Sequence, residues 1–249
     1  MAEIKYEFFV LGSTGICGGA FVKYLSKHIE TTSKDSVLKT IVRKSYSEAF
    51  LKANELGRGE TVTTYVEKDS SKWASHTFTE NVSKEASTKI FFSGLGTTRA
   101  DAGSLEAQKK IDVDLNYAVA KAAKEQGFTT YVLVSSAGAN SKSWSGYLKL
   151  KGDLENKIRD LNFENLIILR PGVLLGDRLG KHKGFGNSAA AYLGGLVYGT
   201  FLSKYIGSPI YADEVGKAGV LLALKAASEN APTGMNVYTS ETLLKIANQ

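Results

Sequence analysis

Cysteine, proline and histidine are scarce in this chain of 249 residues, which has one Cys, three Pro and three His. A lone cysteine, Cys17, excludes an internal disulfide framework and fits a reducing compartment. His28, His76 and His182 stand far apart with no cysteine at ligand spacing, so no metal site is expected. No apolar run approaches the roughly 18 to 20 residues that a spanning helix needs. A secretory signal is not expected either, because the first apolar run is short and ends in glycines. Met1-Ala-Glu-Ile-Lys-Tyr-Glu carries acids, and removing about twenty residues would delete that glycine loop, so no cleaved mitochondrial presequence is expected. The excess of positive charge, +6 overall, is scattered without an arginine-rich helix or a Lys/Arg block. That pattern speaks against nucleic acid and leaves an acidic membrane surface or a phosphorylated cofactor as anionic partners.

What the chain does have is alternation. Short apolar runs at Tyr6 to Leu11, Val37 to Arg43, Thr61 to Val66, Lys89 to Ser93, Thr130 to Val134 and Leu166 to Leu169 read as strands. Helical patterns at Gly18 to His28, Tyr46 to Leu56, Leu105 to Gln126 and Ser145 to Leu161 separate them. The expectation is an α/β fold, a Rossmann-type doubly wound parallel sheet forming a single domain over 1–249. Its nucleotide-binding core covers about 1–180. A small C-terminal substrate lobe with closing helices, at Asp213 to Ala227 and Ser240 to Ala247, covers about 181–249, and its Gly-, Ala- and aromatic-rich part is Gly184 to Gly207. Within it, Tyr192 to Leu202 reads as an interfacial patch, a homodimer contact or the lining of a substrate pocket.

Two elements carry chemistry. The first is Gly12-Ser13-Thr14-Gly15-Ile16-Cys17-Gly18, between the first strand and the first helix. Such a loop aims backbone N–H groups and a helix N-terminus at a pyrophosphate, and side chains larger than hydrogen block the approach. The second is Ser135-Ser136 at the end of the fifth strand, followed by Tyr147 and Lys151 one helical turn apart. A phenol is a poor base at neutral pH, and a neighbouring ammonium stabilises its ionised form. Tyr147 is therefore the expected proton donor or acceptor, Lys151 its activator and a ribose ligand, and Ser136 or Ser135 the group that orients the substrate oxygen. Tyr117 and Lys121 repeat the spacing, but only Tyr147 follows a β-branched strand that ends in two serines.

The end of the second strand reads Thr40-Ile41-Val42-Arg43-Lys44, with no acid to accept the ribose hydroxyl of NAD(H). Arg43 and Lys44 fit a 2′-phosphate, so NADP(H) is favoured over NAD(H). Asp69 is read as an adenine contact or a turn acid, and Leu95, Gly96 and Thr97 as a loop passing the cofactor.

With these residues in place, the chain resembles a known family. Leu11-Gly-Ser-Thr-Gly-Ile-Cys-Gly-Gly, Gly94-Leu-Gly-Thr-Thr-Arg, Val134-Ser-Ser-Ala-Gly-Ala, Tyr147-Leu-Lys-Leu-Lys-Gly and Leu169-Arg-Pro-Gly-Val-Leu-Leu-Gly-Asp-Arg are similar to the fungal "found in mitochondrial proteome" proteins. These are atypical short-chain dehydrogenases related to the animal Tat-interacting, oxidoreductase-like protein. The resemblance implies an NADP-binding fold, a peripheral place on the cytosolic side of the mitochondrial outer membrane, and cofactor contacts from Pro171 and Arg178. One departure is visible: many short-chain dehydrogenases have an asparagine where this chain has Asp112, with Asn116 one turn on. The function expected is NADP(H)-dependent conversion of a small carbonyl or alcohol. The rivals are a catalytically idle NADP(H)-sensing protein and an epimerase that uses its cofactor transiently.

Overall fold

The computed structural model describes residues 5–56, 61–75, 86–176, 208–228 and 233–249. Along the chain run β1 (Tyr6–Leu11), α1 (Ile16–Thr31), β2 (Val37–Val42), α2 (Glu48–Ala53), β3 (Val62–Val66), β4 (Thr88–Ser93), α3 (Arg99–Ala102) and α4 (Leu105–Lys109). A π-helical turn (Lys110–Leu115) leads into α5 (Asn116–Glu125), followed by β5 (Thr130–Val134), α6 (Gly146–Arg159) and β6 (Asn165–Arg170). The two-residue strands β7 (Leu174–Leu175) and β8 (Ile210–Tyr211) precede α7 (Ala212–Ala226), β9 (Gly234–Thr239) and α8 (Ser240–Ala247).

Seven strands form one parallel sheet in the order β3-β2-β1-β4-β5-β6-β9. The winding direction reverses between β1 and β4, whose ends stand side by side with Leu11 opposite Ser93. Ligands of open parallel sheets bind at such a switch point, outside the carboxyl ends of the strands.

Both faces of the sheet are covered, and for that reason the strands read as continuous apolar runs rather than alternating ones. Phe8 and Val10 of β1 pack on one face among Phe21, Phe92, Leu169 and Val215, under α1 and α7. Phe9 and Leu11 pack on the other among Phe91, Tyr131, Leu154 and Ile158, under α5 and α6. Phe9, Phe91 and Tyr131 stack across β1, β4 and β5 at centroid separations of 5.2 and 5.0 Å. Each such pair adds about 0.5 to 1.5 kcal/mol beyond area burial.

The expected strands and helices are present, with three differences. The helix expected over Leu105 to Gln126 is interrupted by the π turn, which rotates Asp112 and Val113 into the interior. Strand β2 ends at Val42, leaving Arg43 outside the ladder. Strand β9 was not expected; it completes the sheet beside β6, with Asn165 opposite Gly234 and Arg170 opposite Thr239. The helices expected at Asp213 to Ala227 and Ser240 to Ala247 are α7 and α8. α7 lies on α1 so closely that a methyl on Gly216 would stand 2.4 Å from Ala20 Cβ. Gly184 to Gly207, including the patch Tyr192 to Leu202, lies outside the described residues. Among the described residues no helix is long and apolar enough to cross a membrane.

Candidate functional site

The loop after β1 is built on two glycines that protein packing alone requires. Gly12 has φ +76°, and a Cβ there would lie 2.5 Å from Leu95 N; a Cβ on Gly18 would lie 2.1 Å from Gly12 O. Gly15 differs. It has φ −80°, and a methyl would meet Gly12 O at 3.2 Å and Gly94 O at 3.7 Å, so the protein's own need for a glycine is milder there than at Gly12 or Gly18. Gly15 is the N-cap of the 16-residue α1, which has no side-chain cap and no acid in its first turn. The first N–H groups of such a helix have no intrahelical acceptor, and its dipole favours an anion. A side-chain-free turn over a helix start without a side-chain cap is the arrangement that a pyrophosphate fits.

Of the remaining loop side chains, Ser13 faces inward. Its hydroxyl lies 2.7 Å from Thr40 Oγ1, which donates to Val10 O at 2.8 Å, stapling the loop to β2. Cys17 is buried and Thr14 is exposed. Arg43 and Lys44, just past β2, are exposed and form no ion pair with a described residue. Asp69, also exposed, caps the short turn Ser70–Lys72: Ser71 N–H and Ser71 Oγ donate to its Oδ1 at 3.0 and 2.6 Å. Those bonds hold its carboxyl below the usual range.

The two serines after β5 divide. Ser135 is buried and donates to Glu155 Oε1 at 2.5 Å. Glu155 is in turn gripped by Arg170, with Nε to Oε1 at 3.0 Å and Nη2 to Oε2 at 2.5 Å. This ties α6 to the ends of β5 and β6. Ser136 is half-buried, with only a long contact from its hydroxyl to Ala137 O at 3.4 Å, so its Oγ is the one available to a ligand. Pro171 is buried and accepts Ala137 N–H through its carbonyl at 2.8 Å, and Gly172 N–H donates to Ser240 Oγ at 2.7 Å. Arg178 lies outside the described residues.

One further glycine, which sequence reading passed over, fixes this loop. A Cβ on Gly152 would stand 2.2 Å from Ser141 N and 2.3 Å from Asn140 C, so the chain after Ser136 crosses α6 in direct backbone contact. Its place directly after Lys151 was the available signal.

Tyr147 stands in the first turn of α6, 42% exposed, and Lys151 one turn on is 6% exposed. The Lys151 ammonium comes within 3.6 Å of the point where a Gly96 Cβ would stand, and Asp112 Oδ1 within 3.8 Å of the same point. Asp112 accepts Thr97 N–H at 2.7 Å and Gln108 Nε2 at 3.3 Å. Burial pushes its carboxyl above the usual range, opposed by Lys151 and these two donors. Asn116 sits beneath the loop: its Oδ1 accepts from Ser93 Oγ at 2.8 Å and Tyr131 OH at 3.1 Å within the core, and its Nδ2 donates to Leu95 O at 3.4 Å. The fold thus brings Gly15, Gly96, Lys151 and the carboxyl ends of β1, β4 and β5 to one edge of the sheet. Among the described residues no group of three His, Cys, Asp or Glu could hold a metal ion.

A family model described as HIM1 matches residues 61–191. "Protein FMP52, mitochondrial" of Eremothecium gossypii is 47% identical over 215 residues, covering 86% of this chain and 87% of the relative. The Saccharomyces cerevisiae protein of that name is 42% identical over 222 residues, covering 89% of each. Among solved structures, the UDP-Glc/GlcNAc 4-epimerase of Campylobacter jejuni aligns over 96% of this chain and 82% of its own, with TM-score 0.63 and 14% identity. MoeE5, solved in complex with UDP-glucose and NAD, aligns over 94% and 75% with TM-score 0.62, also at 14% identity. At these identities the structural likeness shows the fold alone.

Proposed function

The chain belongs to the FMP52 family, and from that premise we propose that it is an NADP(H)-dependent oxidoreductase acting on a small carbonyl or alcohol. The observation that carries this reading is the convergence at the switch point. A helix start without a side-chain cap at Gly15 and a buried ammonium at Lys151 near Gly96 meet there, with Tyr147 one turn from Lys151 and the hydroxyl of Ser136, held only by a long contact to Ala137 O, after the neighbouring strand. The site fits a dinucleotide on its own geometry, because the glycines of the loop bring bare backbone to the start of α1, which has no side-chain cap and no acid in its first turn. That NAD is bound in the MoeE5 structure is consistent with this.

In this reading the α1 N-terminus and the Gly12–Gly18 backbone receive the pyrophosphate, while Leu95 to Thr97 flank the ribose and phosphates. Arg43 and Lys44 receive the 2′-phosphate, which a charge-assisted hydrogen bond recognises best. Bound there, the nicotinamide supplies or accepts hydride. Lys151 holds the ribose and stabilises negative charge on the Tyr147 oxygen, the atom at which a proton enters or leaves the substrate. Ser136 orients the substrate oxygen, and Ser135 holds the helix through Glu155. Asp69, bonded through Oδ1 to Ser71, offers Oδ2, 3.9 Å from Lys72 Nζ, to an adenine amino group. The named relatives are mitochondrial proteins, and we place this chain peripherally on the cytosolic side of the outer membrane.

Replacing Arg43 and Lys44 together by alanine tests the cofactor assignment. Calorimetric titration should show NADPH affinity falling about tenfold to a hundredfold, from the roughly 1.5 to 3 kcal/mol of a charge-assisted contact, with NADH nearly unchanged. Equal loss for both cofactors would reject the phosphate role.

A further inference from the structure

One edge of the sheet is unguarded. β9 closes the order of strands, and no described strand lies on its outer side. Proteins normally blunt such an edge with charge, proline or a bulge, because its free N–H and C=O groups are a template for another strand. β9 reads Gly234-Met235-Asn236-Val237-Tyr238-Thr239, without a charge or a proline, and it follows β6 in unbroken register. The opposite edge strand, β3, runs directly into Glu67, Lys68 and Asp69, the kind of charge that β9 lacks.

Gly234 N–H donates to Glu164 O at 2.7 Å, and successive residues of a parallel strand address alternate sides. Gly234, Asn236 and Tyr238 therefore bond inward to β6, while Met235 and Val237 direct their N–H and C=O groups outward. The side chains of Met235 and Val237 share the face of their register partners Leu166 and Ile168, yet they are 50% and 40% exposed. A single chain gains little from apolar residues at these two positions.

We propose that β9 pairs antiparallel with β9 of a second copy of this chain, about a two-fold axis at Asn236, so that the two sheets become one. The edge's complementarity to itself identifies the partner. With Asn236 opposite its own counterpart, Met235 stands opposite the partner's Val237 and exchanges both N–H···O bonds with it, and the axis repeats the pair on its other side. Apolar meets apolar on one face and amide meets amide on the other, with no charge facing a like charge. The contact is isologous, so it closes at two copies and uses up the open edge. It does not depend on the assignment of the cofactor.

Sedimentation equilibrium of the full chain at micromolar concentration, beside a cross-linking assay, tests this. The wild type should sediment at twice the mass of one chain. Val237→Lys puts an ammonium on each outer edge at an exposed position, and should sediment as a single chain that melts near the wild-type temperature. Directly opposed residues of a non-hydrogen-bonded antiparallel pair have Cα atoms about 4.5 Å apart, within disulfide reach. Mild oxidation should therefore link Asn236→Cys into a covalent dimer on a non-reducing gel. Met235→Cys, two residues out of register with itself, should not link, nor should the wild type, whose one thiol is the buried Cys17. A monomeric wild type or a folded Val237→Lys that remains dimeric would overturn the proposal, as would Asn236→Cys linking no faster than Met235→Cys. Should Val237→Lys not fold, the cross-linking pair decides alone.

Discussion

Alanine at position 152 sets two rules against each other. In an unconstrained helix interior the change from glycine gains about 0.5 to 1 kcal/mol, because alanine loses less conformational entropy. Here the methyl would lie 2.2 Å from Ser141 N and 2.3 Å from Asn140 C, against ordinary contact at 3.4 Å or more. Both neighbours are backbone, and no rotamer change moves them. The segment is also tied down, with Asn140 N–H on Leu148 O at 3.1 Å and Ser143 N–H on Asn140 O at 2.9 Å. The loop must therefore lift from α6 by about 1 Å, and overpacking of this kind costs about 1 to 3 kcal/mol or more. The clash outweighs the propensity gain, leaving a net loss of about 1 to 2 kcal/mol. In a chain of this length that is a fall in melting temperature of roughly 2 to 8 °C. Differential scanning calorimetry of Gly152→Ala beside the wild type measures it. A variant that melts at or above the wild-type temperature would refute the close crossing, and with it the account of how Ser136 is held.

Gly15→Ala should do the reverse: with nothing closer than 3.2 Å to the new methyl, the empty protein should melt within a few degrees of wild type, while titration with NADPH shows a large loss of affinity. Unchanged affinity would remove the glycine loop from the binding site. On location, the protein should sediment with mitochondria, be released by alkaline carbonate and be digested by protease added to intact organelles. Resistance to both treatments would place it inside or across the membrane.

How far the site could be read from the sequence depends on whether the controlling contact was local. Gly12 and Gly18 were legible because a βα turn states its needs within seven residues, and Tyr147 and Lys151 because one helical turn joins them. The division of labour between Ser135 and Ser136 was not, since it is decided by Glu155 and Arg170, 20 and 35 positions beyond Ser135. Gly152 belongs with these, its requirement arising from Asn140 and Ser141 on another segment. Strand β9 left no periodic signal because it is an edge strand exposed along most of its length, so no face of it had to be apolar. The π turn was hidden for a related reason: Leu105 to Gln126 has helical spacing throughout, and only the burial of Asp112 marks the register change.

The central claim is that this fold turns over NADP(H) through Tyr147. Its most direct test is NADPH oxidation against a panel of aldehydes, ketones and quinones, run on wild type and Tyr147→Phe with a cofactor titration beside each. The account predicts that the wild type reduces at least one of them, and that Tyr147→Phe binds NADPH nearly as well but loses about a hundredfold to ten-thousandfold in rate. Tight NADPH binding with no turnover on any of them, or normal turnover by Tyr147→Phe, would contradict it and leave a nucleotide-sensing protein as the reading.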